Sequence, residues 1–226
     1  GPVAVVQTGS GCLGACRFCI TRLARGRIRS IPREEILKEI ERAVTGGAVE
    51  IRLTGQDLSA YGYDWGLPSL PDLLTCIGDL EGDFSVRLGM MNPATLAPFA
   101  GDVAQALMND HFFSFIHLPV QSGADSVLSL MNRGYTVAQY LALVDQFRKA
   151  DPGIAIATDF IVGFPGEGEA EFHESIRLLS RLEPEMVNVT RYSYRPGSTA
   201  SRTGEMPDRI RKDRSRELIR TAYQIL

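Results

Sequence analysis

Histidine and tryptophan are scarce in this chain, three and one among 226 residues, and no apolar run is long enough to cross a bilayer. The first residues lack the basic-then-apolar pattern of a secretory signal, so a cytoplasmic location with no membrane partner is expected. An excess of one charge is also missing. Lys and Arg number 24 against 27 Asp and Glu, for a net charge of −3, which excludes holding a polynucleotide by bulk attraction and leaves only local patches for such contacts. No Gly-x-Gly-x-x-Gly follows the first apolar run, which argues against a dinucleotide-binding sheet. Cysteine is sparse, four in all, but Cys12, Cys16 and Cys19 fall in one short Gly-flanked loop. In a cytosolic chain disulfides are disfavoured, so clustered cysteines point to metal or redox chemistry. Cys76, alone on an expected helix, reads as a buried small hydrophobe.

What is present is ordinary for a globular protein, 44% hydrophobic and 23% charged residues, enough for one sizeable core. Two basic clusters stand out. Arg17, Arg22, Arg25, Arg27, Arg29 and Arg33 lie near the start; Arg209, Arg211, Lys212, Arg214, Arg216 and Arg220 lie near the end. Asp208, Asp213 and Glu217 interleave with the second group, which reads as a solvated helix face.

The chain alternates. Apolar runs at Val3 to Val6, Val49 to Leu53, Phe84 to Leu88, Phe112 to Leu118, Ile154 to Val162 and Met186 to Thr190 read as strands. Between them, apolar residues at helical spacing mark helices around Ile36 to Val44, Leu70 to Leu80 and Leu96 to Leu107. A further pair between Ala124 and Lys149 breaks near Arg133-Gly134, and Phe172 to Leu182 and Leu218 to Ile225 follow. Six strands alternating with helices imply right-handed βαβ units and an α/β fold with a parallel sheet. A full eight-fold barrel needs about 250 residues, so the expected architecture is a partial (β/α)6 TIM-like barrel. Chemistry in such barrels sits at the carboxyl ends of the strands. The loops to read are therefore Thr8 to Arg29, Thr54 to Trp65, Met90 to Thr95, Pro119 to Asp125, Gly163 to Glu169 and Arg191 to Arg202.

Cys-x-x-x-Cys-x-x-Cys offers three ligands with no fourth nearby. A closed structural zinc site wants four; a four-iron cluster held by three cysteines leaves one iron open to a small molecule. This spacing after a first strand resembles the radical S-adenosylmethionine (SAM) superfamily. The resemblance implies a 4Fe-4S cluster on Cys12, Cys16 and Cys19 whose open iron chelates SAM, reductive cleavage of the sulfonium to a 5′-deoxyadenosyl radical, and an electron donor such as flavodoxin or ferredoxin. It also implies cofactor-binding roles. Phe18 would border the adenine, and the motif Leu53-Thr54-Gly55-Gln56-Asp57 would meet the SAM amino group through Thr54, Gly55 and Gln56. Gln121, Ser122 and Asp159 would help cradle SAM, and Ile161, Gly163 and Phe164 belong to an adenine-binding segment. Structural alternatives stand beside each role: a loop anchor for Phe18, a simple turn for Gly55, a terminated strand for Gly163.

A narrower resemblance rests on Leu118-Pro119-Val120-Gln121-Ser122-Gly123-Ala124-Asp125, Asp159 to Glu167, Arg25-Gly26 and Arg195-Pro196-Gly197-Ser198. Together these resemble the methylthiotransferases, and Arg87-Leu88-Gly89-Met90-Met91-Asn92-Pro93 with Ala60-Tyr61-Gly62 is closest to the archaeal and eukaryotic branch. That branch is implied to convert N6-threonylcarbamoyladenosine beside the tRNA anticodon to its 2-methylthio form, with tRNA as partner. Gly55-Gln56 departs from the Ser-Glu usual there. Residues 1–226 read as the radical SAM core alone. The amino-terminal domain with three cysteines for a second cluster and the carboxyl-terminal RNA-binding domain are expected to be absent. Arg25, Tyr194 and Arg195 are candidates for meeting substrate. The alternatives are a methylthiotransferase for isopentenyladenosine or a ribosomal protein, a radical SAM enzyme of another reaction type, and a non-enzymatic zinc or RNA-binding module.

Overall fold

Alternation decides the strands. In the computed structural model, which describes residues 1–200 and 205–225, β1 is Val3–Gln7, and a two-residue antiparallel hairpin, β2 Gly9–Ser10 with β3 Arg29–Ser30, brackets the cysteine loop. β4 Glu50–Thr54 turns Ile51 and Leu53 into the core and Arg52 the other way. β5 Ser85–Leu88 does the same with Val86 and Leu88, as expected for period-two side chains. β6 is Phe115–His117, β7 Ala155–Val162 and β8 Met186–Arg191.

The six long strands form two three-stranded parallel sheets in sequence order, β1-β4-β5 and β6-β7-β8. One parallel bridge, Val86 to Phe112, joins them. This is the expected partial barrel. The fourth strand is shorter than its apolar run because Phe112 spends its pairing on Val86 while Phe113 and Ser114 are exposed.

Helices cover the outer face. α1 Thr21–Arg25 follows the cysteines, and α2 Arg33–Thr45 buries Ile36 and Ile40. α3 Leu70–Gly78 buries Leu70, Leu73, Leu74 and Ile77. Burying one such side chain contributes about 1.5–3 kcal/mol. Cys76 on α3 is half-buried rather than a core residue, because its neighbours Leu73, Leu74 and Ile77 take the inward stripe. The helix expected over Leu96 to Leu107 is split into α4 Pro93–Leu96, a 3-10 turn Ala97–Phe99 and α5 Ala100–Ala106; Pro98, with no N–H to donate, interrupts the ladder.

α6 Asp125–Leu130 and α7 Val137–Ala150 are broken where expected. Asn132 and Gly134 both take positive φ in the break, and a capping box, Thr136 with Gln139, starts α7. α8 Glu169–Leu182 and α9 Asp208–Ile225 close the chain. α9 departs from the solvated reading at two positions: Arg211 is half-buried and donates to the Tyr192 carbonyl at 2.7 Å, and Arg214 is buried with Leu218 and Ala222, its Nη1 2.5 Å from Oε1 of buried Glu167. Arg202, at the end of the last of the six loops, lies outside the described residues.

A second, smaller apolar cluster sits at the carboxyl end of the strands. Ala124, Val127, Met131, Phe164, Tyr192 and Ala200 form it, with Phe18 and Ile161 packed on its edge. It seats the cysteine loop on the barrel.

Candidate active site at the carboxyl ends of the strands

The cysteine loop is fixed from several distant segments. Gly11 has φ 78°, and a Cβ there would run into the Arg27 carbonyl, so only glycine lets the two limbs close. Cys12 N–H donates to the Gly26 carbonyl at 3.2 Å, Arg17 N–H to Met131 at 3.0 Å, and Ala200 N–H to Arg17 at 2.8 Å. Asn132 Nδ2 donates to the Ala15 carbonyl at 2.9 Å.

Each sulfur accepts one N–H. Gly14 N–H reaches Cys12 Sγ at 3.2 Å, Thr21 N–H reaches Cys19 Sγ at 3.4 Å, and Arg133 Nη1 reaches Cys16 Sγ at 3.1 Å. Donors at sulfur favour its negative forms. Burial still lifts the Cys12 thiol above its ordinary value, with the Gly14 N–H acting against it. Among the described residues no three His, Cys, Asp or Glu side chains meet around one single-ion position. A cluster bound one iron per cysteine does not require that.

A cavity of about 170 Å³ opens beside the sulfurs. The cysteine loop brings Phe18 to it, the loop after β4 brings Gln56 and Asp57, and the loop after β5 brings Met90, Met91 and Asn92. Gln121, after β6, and Arg133, between α6 and α7, complete the far wall. Gln56 Oε1 is buried with no hydrogen-bond partner among the described residues, a state that costs about 1–3 kcal/mol unless a ligand donates to it. Gln121 takes φ 76°, a strained conformation for a side chain of its kind. Its N–H donates to Asp159 O at 2.8 Å and its carbonyl accepts from Ile161 at 2.9 Å, pinning it there.

Asp57 is the cavity's carboxylate and Arg133 its cation. Burial raises the Asp57 pKa against bonds from Ser59, the Asn92 N–H and Thr95; the Asn92 N–H lies 3.0 Å away and Thr95 Oγ1 2.7 Å. Arg133, 8% exposed, also donates to Tyr135 Oη at 2.9 Å and Asn92 Oδ1 at 3.3 Å. Burial pulls its pKa down, but Tyr135 and Cys16 outweigh that, and the group stands above the ordinary guanidinium value.

Of the residues singled out from sequence, the cavity brings together Cys12, Cys16, Phe18, Cys19, Gln56 and Gln121. The others lie around it. Thr54 bonds back to the Val6 carbonyl at 3.4 Å, and Gly55 lies beside Thr8. Ser122 Oγ accepts from Ala124 N–H at 3.2 Å. Asp159 faces the barrel interior, Oδ1 2.9 Å from His117 Nε2 and 2.8 Å from Asn188 Nδ2. Ile161 and Phe164 belong to the apolar cluster that also supports Phe18, with Phe164 edge-on to Tyr192 at 5.0 Å. Gly163 N–H donates to Glu167 Oε1 at 3.0 Å. Arg25 and Arg195 are exposed, Tyr194 is half-buried, and none of them lines the cavity. Sequence reasoning missed Arg133 and Asp57. The available signals were an arginine placed at the break between two apolar helices and the carboxylate that ends the motif at Gln56.

The family model described as Radical SAM superfamily matches residues 6–179. The chain belongs to the radical SAM superfamily. Along 96% of its length the chain is 45% identical to a protein of Archaeoglobus fulgidus named probable threonylcarbamoyladenosine tRNA methylthiotransferase, covering 51% of that relative. It is 36% identical, over 98% of its length, to the human threonylcarbamoyladenosine tRNA methylthiotransferase, covering 38% of it. The chain thus spans about half the length of this archaeal relative. In fold it resembles the radical S-adenosylmethionine methyltransferase TsrM of Kitasatospora setae, solved with cobalamin and a 4Fe-4S cluster bound. That likeness has a TM-score of 0.69 at 17% identity and covers 84% of this chain and 36% of that one.

The residues present fit a 4Fe-4S cluster with SAM. Three cysteines for the four irons of such a cluster leave one iron's coordination position for a non-protein ligand. A Cβ at Gly14 would stand 3.3 Å from Cys12 Sγ and 3.6 Å from Cys16 Sγ, so glycine keeps the space between those sulfurs open. The orphaned Gln56 Oε1 and the Arg133 guanidinium offer an acceptor and a cation to a zwitterionic amino acid group.

Proposed function

We propose that the chain is the catalytic core of a tRNA methylthiotransferase, which converts N6-threonylcarbamoyladenosine next to the anticodon to its 2-methylthio derivative with a 4Fe-4S cluster and SAM as cofactors. The observation that carries this reading is the cavity that joins three cysteines to Gln56, Gln121 and Arg133, in a chain similar along nearly its whole length to proteins of that name. When bound, the cluster and SAM supply one-electron chemistry at a sulfonium.

The chain's own residues bind and orient. Cys12, Cys16 and Cys19 would hold three irons of the cluster, and the N–H groups of Gly14 and Thr21 and the Arg133 guanidinium would offset the charge on their sulfurs. Arg133 would hold the SAM carboxylate and Gln56 Oε1 would accept from its ammonium, giving that buried oxygen a partner. Asp57 ties the loop after β4 to the loop after β5 through Asn92 and Thr95 and holds Gln56 at the cavity. Met90 and Met91 keep water from the reacting centre. Beyond the cysteine loop these 226 residues hold one further cysteine, Cys76, too few to bind a second cluster of the same kind. This chain alone would therefore bind and cleave SAM without completing methylthiolation.

Anaerobic reconstitution with iron and sulfide, read by absorption and electron paramagnetic resonance with and without SAM, tests the reading. About four irons per chain and a spectrum that responds to SAM are expected. A colourless zinc protein, or a spectrum indifferent to SAM, refutes it, and methylthiolated tRNA made by this chain alone refutes the limit on its turnover.

A further inference from the structure

The concave face of a parallel barrel is ordinarily filled with branched apolar side chains, and here it carries charge. Ile51, Leu53, Val86 and Leu88 point outward into the helix layer, each at most 2% exposed, so Arg52 and Arg87 point inward. The strand register sets these two arginines side by side on β4 and β5. Arg52 Nε is bonded to Glu50 Oε1 at 2.6 Å, which balances its charge. Arg87 has no carboxylate partner among the described residues; its guanidinium lies over the Phe115 ring, 4.2 Å from the centroid, and is only half-buried. Farther round the same face, Asp159 is already occupied by His117 and Asn188. Among the described residues the concave face therefore has one cation without a carboxylate partner, held in place by an aromatic ring and backed by a second arginine. Arg87 precedes Met90 of the SAM cavity by three residues, about 10 Å along a strand.

We propose that Arg87, with Arg52 beside it, is the specificity element for the carboxylate of the substrate's N6 substituent. This rests on the tRNA reading above. A threonylcarbamoyl group is a threonine joined through a urea to N6, which leaves its carboxylate free; an isopentenyl group has no charge at all. With the adenine at the cavity mouth, the substituent reaches down the concave face and its carboxylate meets the Arg87 guanidinium, whose planar fork suits that geometry. A neutral substituent would leave Arg87 desolvated and unpaired, so the same residue selects against it.

The test uses the reconstituted chain with SAM bound and measures, by calorimetry, the affinities of N6-threonylcarbamoyladenosine and of its neutral analogue in which the carboxylate is a primary amide. The acid is expected to bind about tenfold or more tighter than the amide. In Arg87→Gln the two are expected to bind alike, while Arg87→Lys restores part of the preference. Equal affinities in the unaltered chain, or an Arg87→Gln variant that keeps the full preference, overturn this inference and leave the tRNA reading standing. If neither nucleoside binds, both fall.

Discussion

Replacing Arg214 by methionine tests how α9 is tied to the loop after β7. Arg214 Nη1 lies 2.5 Å from Glu167 Oε1 and 3.2 Å from the Glu167 carbonyl, and Nη2 reaches exposed Glu169 at 3.1 Å. Glu167 is 5% exposed and Arg214 6%. Methionine keeps much of the contact with Phe172, over whose ring the guanidinium sits at 5.1 Å, but leaves a buried carboxylate with the Gly163 N–H as its remaining hydrogen-bond donor at 3.0 Å. Removing one partner of a buried pair costs about 3–5 kcal/mol, which lowers a urea midpoint by roughly 1–2 M. The cost depends on pH with a definite sign. Burial already raises the Glu167 pKa, and the Arg214 bond opposes the rise; without that bond it climbs further. Between the unfolded value near 4.3 and the raised folded value, the native state binds more protons than the unfolded one, so stability falls as pH rises through that window. The penalty of Arg214→Met should therefore be largest at neutral pH and shrink toward pH 5, and a Glu167→Gln second change should recover much of it. A variant within about 1 kcal/mol of the parent, with no pH dependence, refutes the argument.

Cys12→Ala, Cys16→Ala and Cys19→Ala should each fail to retain about four irons after anaerobic reconstitution, as iron and sulfide analysis will show. Gln121→Gly should raise stability by about 1 kcal/mol, because glycine accepts φ 76° without strain, while weakening SAM binding; denaturation and calorimetry read the two effects separately. Arg133→Met should shift the cluster's midpoint potential downward on the order of 100 mV, since a cation at Cys16 favours the reduced form, and should weaken SAM binding at least tenfold. Burial raises the Asp57 pKa, so Asp57→Asn should flatten the loss of stability as pH rises above about 4, measured by urea titration across pH.

Most of the barrel was legible because its signal is local. Ile51 and Leu53 alternate with Arg52, and Ile36 and Ile40 lie one turn apart, so period alone assigns β4 and α2. The cysteine loop was equally legible, since ligand spacing is a property of adjacent residues. What sequence could not supply were contacts made across the fold. Arg133 stands 117 residues from Cys16, and nothing near it in the chain says which sulfur it faces. Phe164 illustrates the converse: its motif suggested a ligand contact, while the fold buries its ring against Tyr192. Arg214 looked like one more charge on a polar helix until the Glu167 turn placed a buried carboxylate opposite it.

The single bridge between Val86 and Phe112 has a consequence for how the molecule assembles. Each three-stranded sheet with its crossover helices is a complete βαβαβ unit built from contacts near in sequence, and such units form faster than long-range pairings. The cavity, by contrast, exists only once the halves meet: Gln56, Met90 and Asn92 come from one and Gln121 and Arg133 from the other, with the Arg133 to Asn92 bond crossing the seam. Contact between the halves is thus what brings a guanidinium to the sulfur of Cys16 and completes the wall that an incoming ligand would meet.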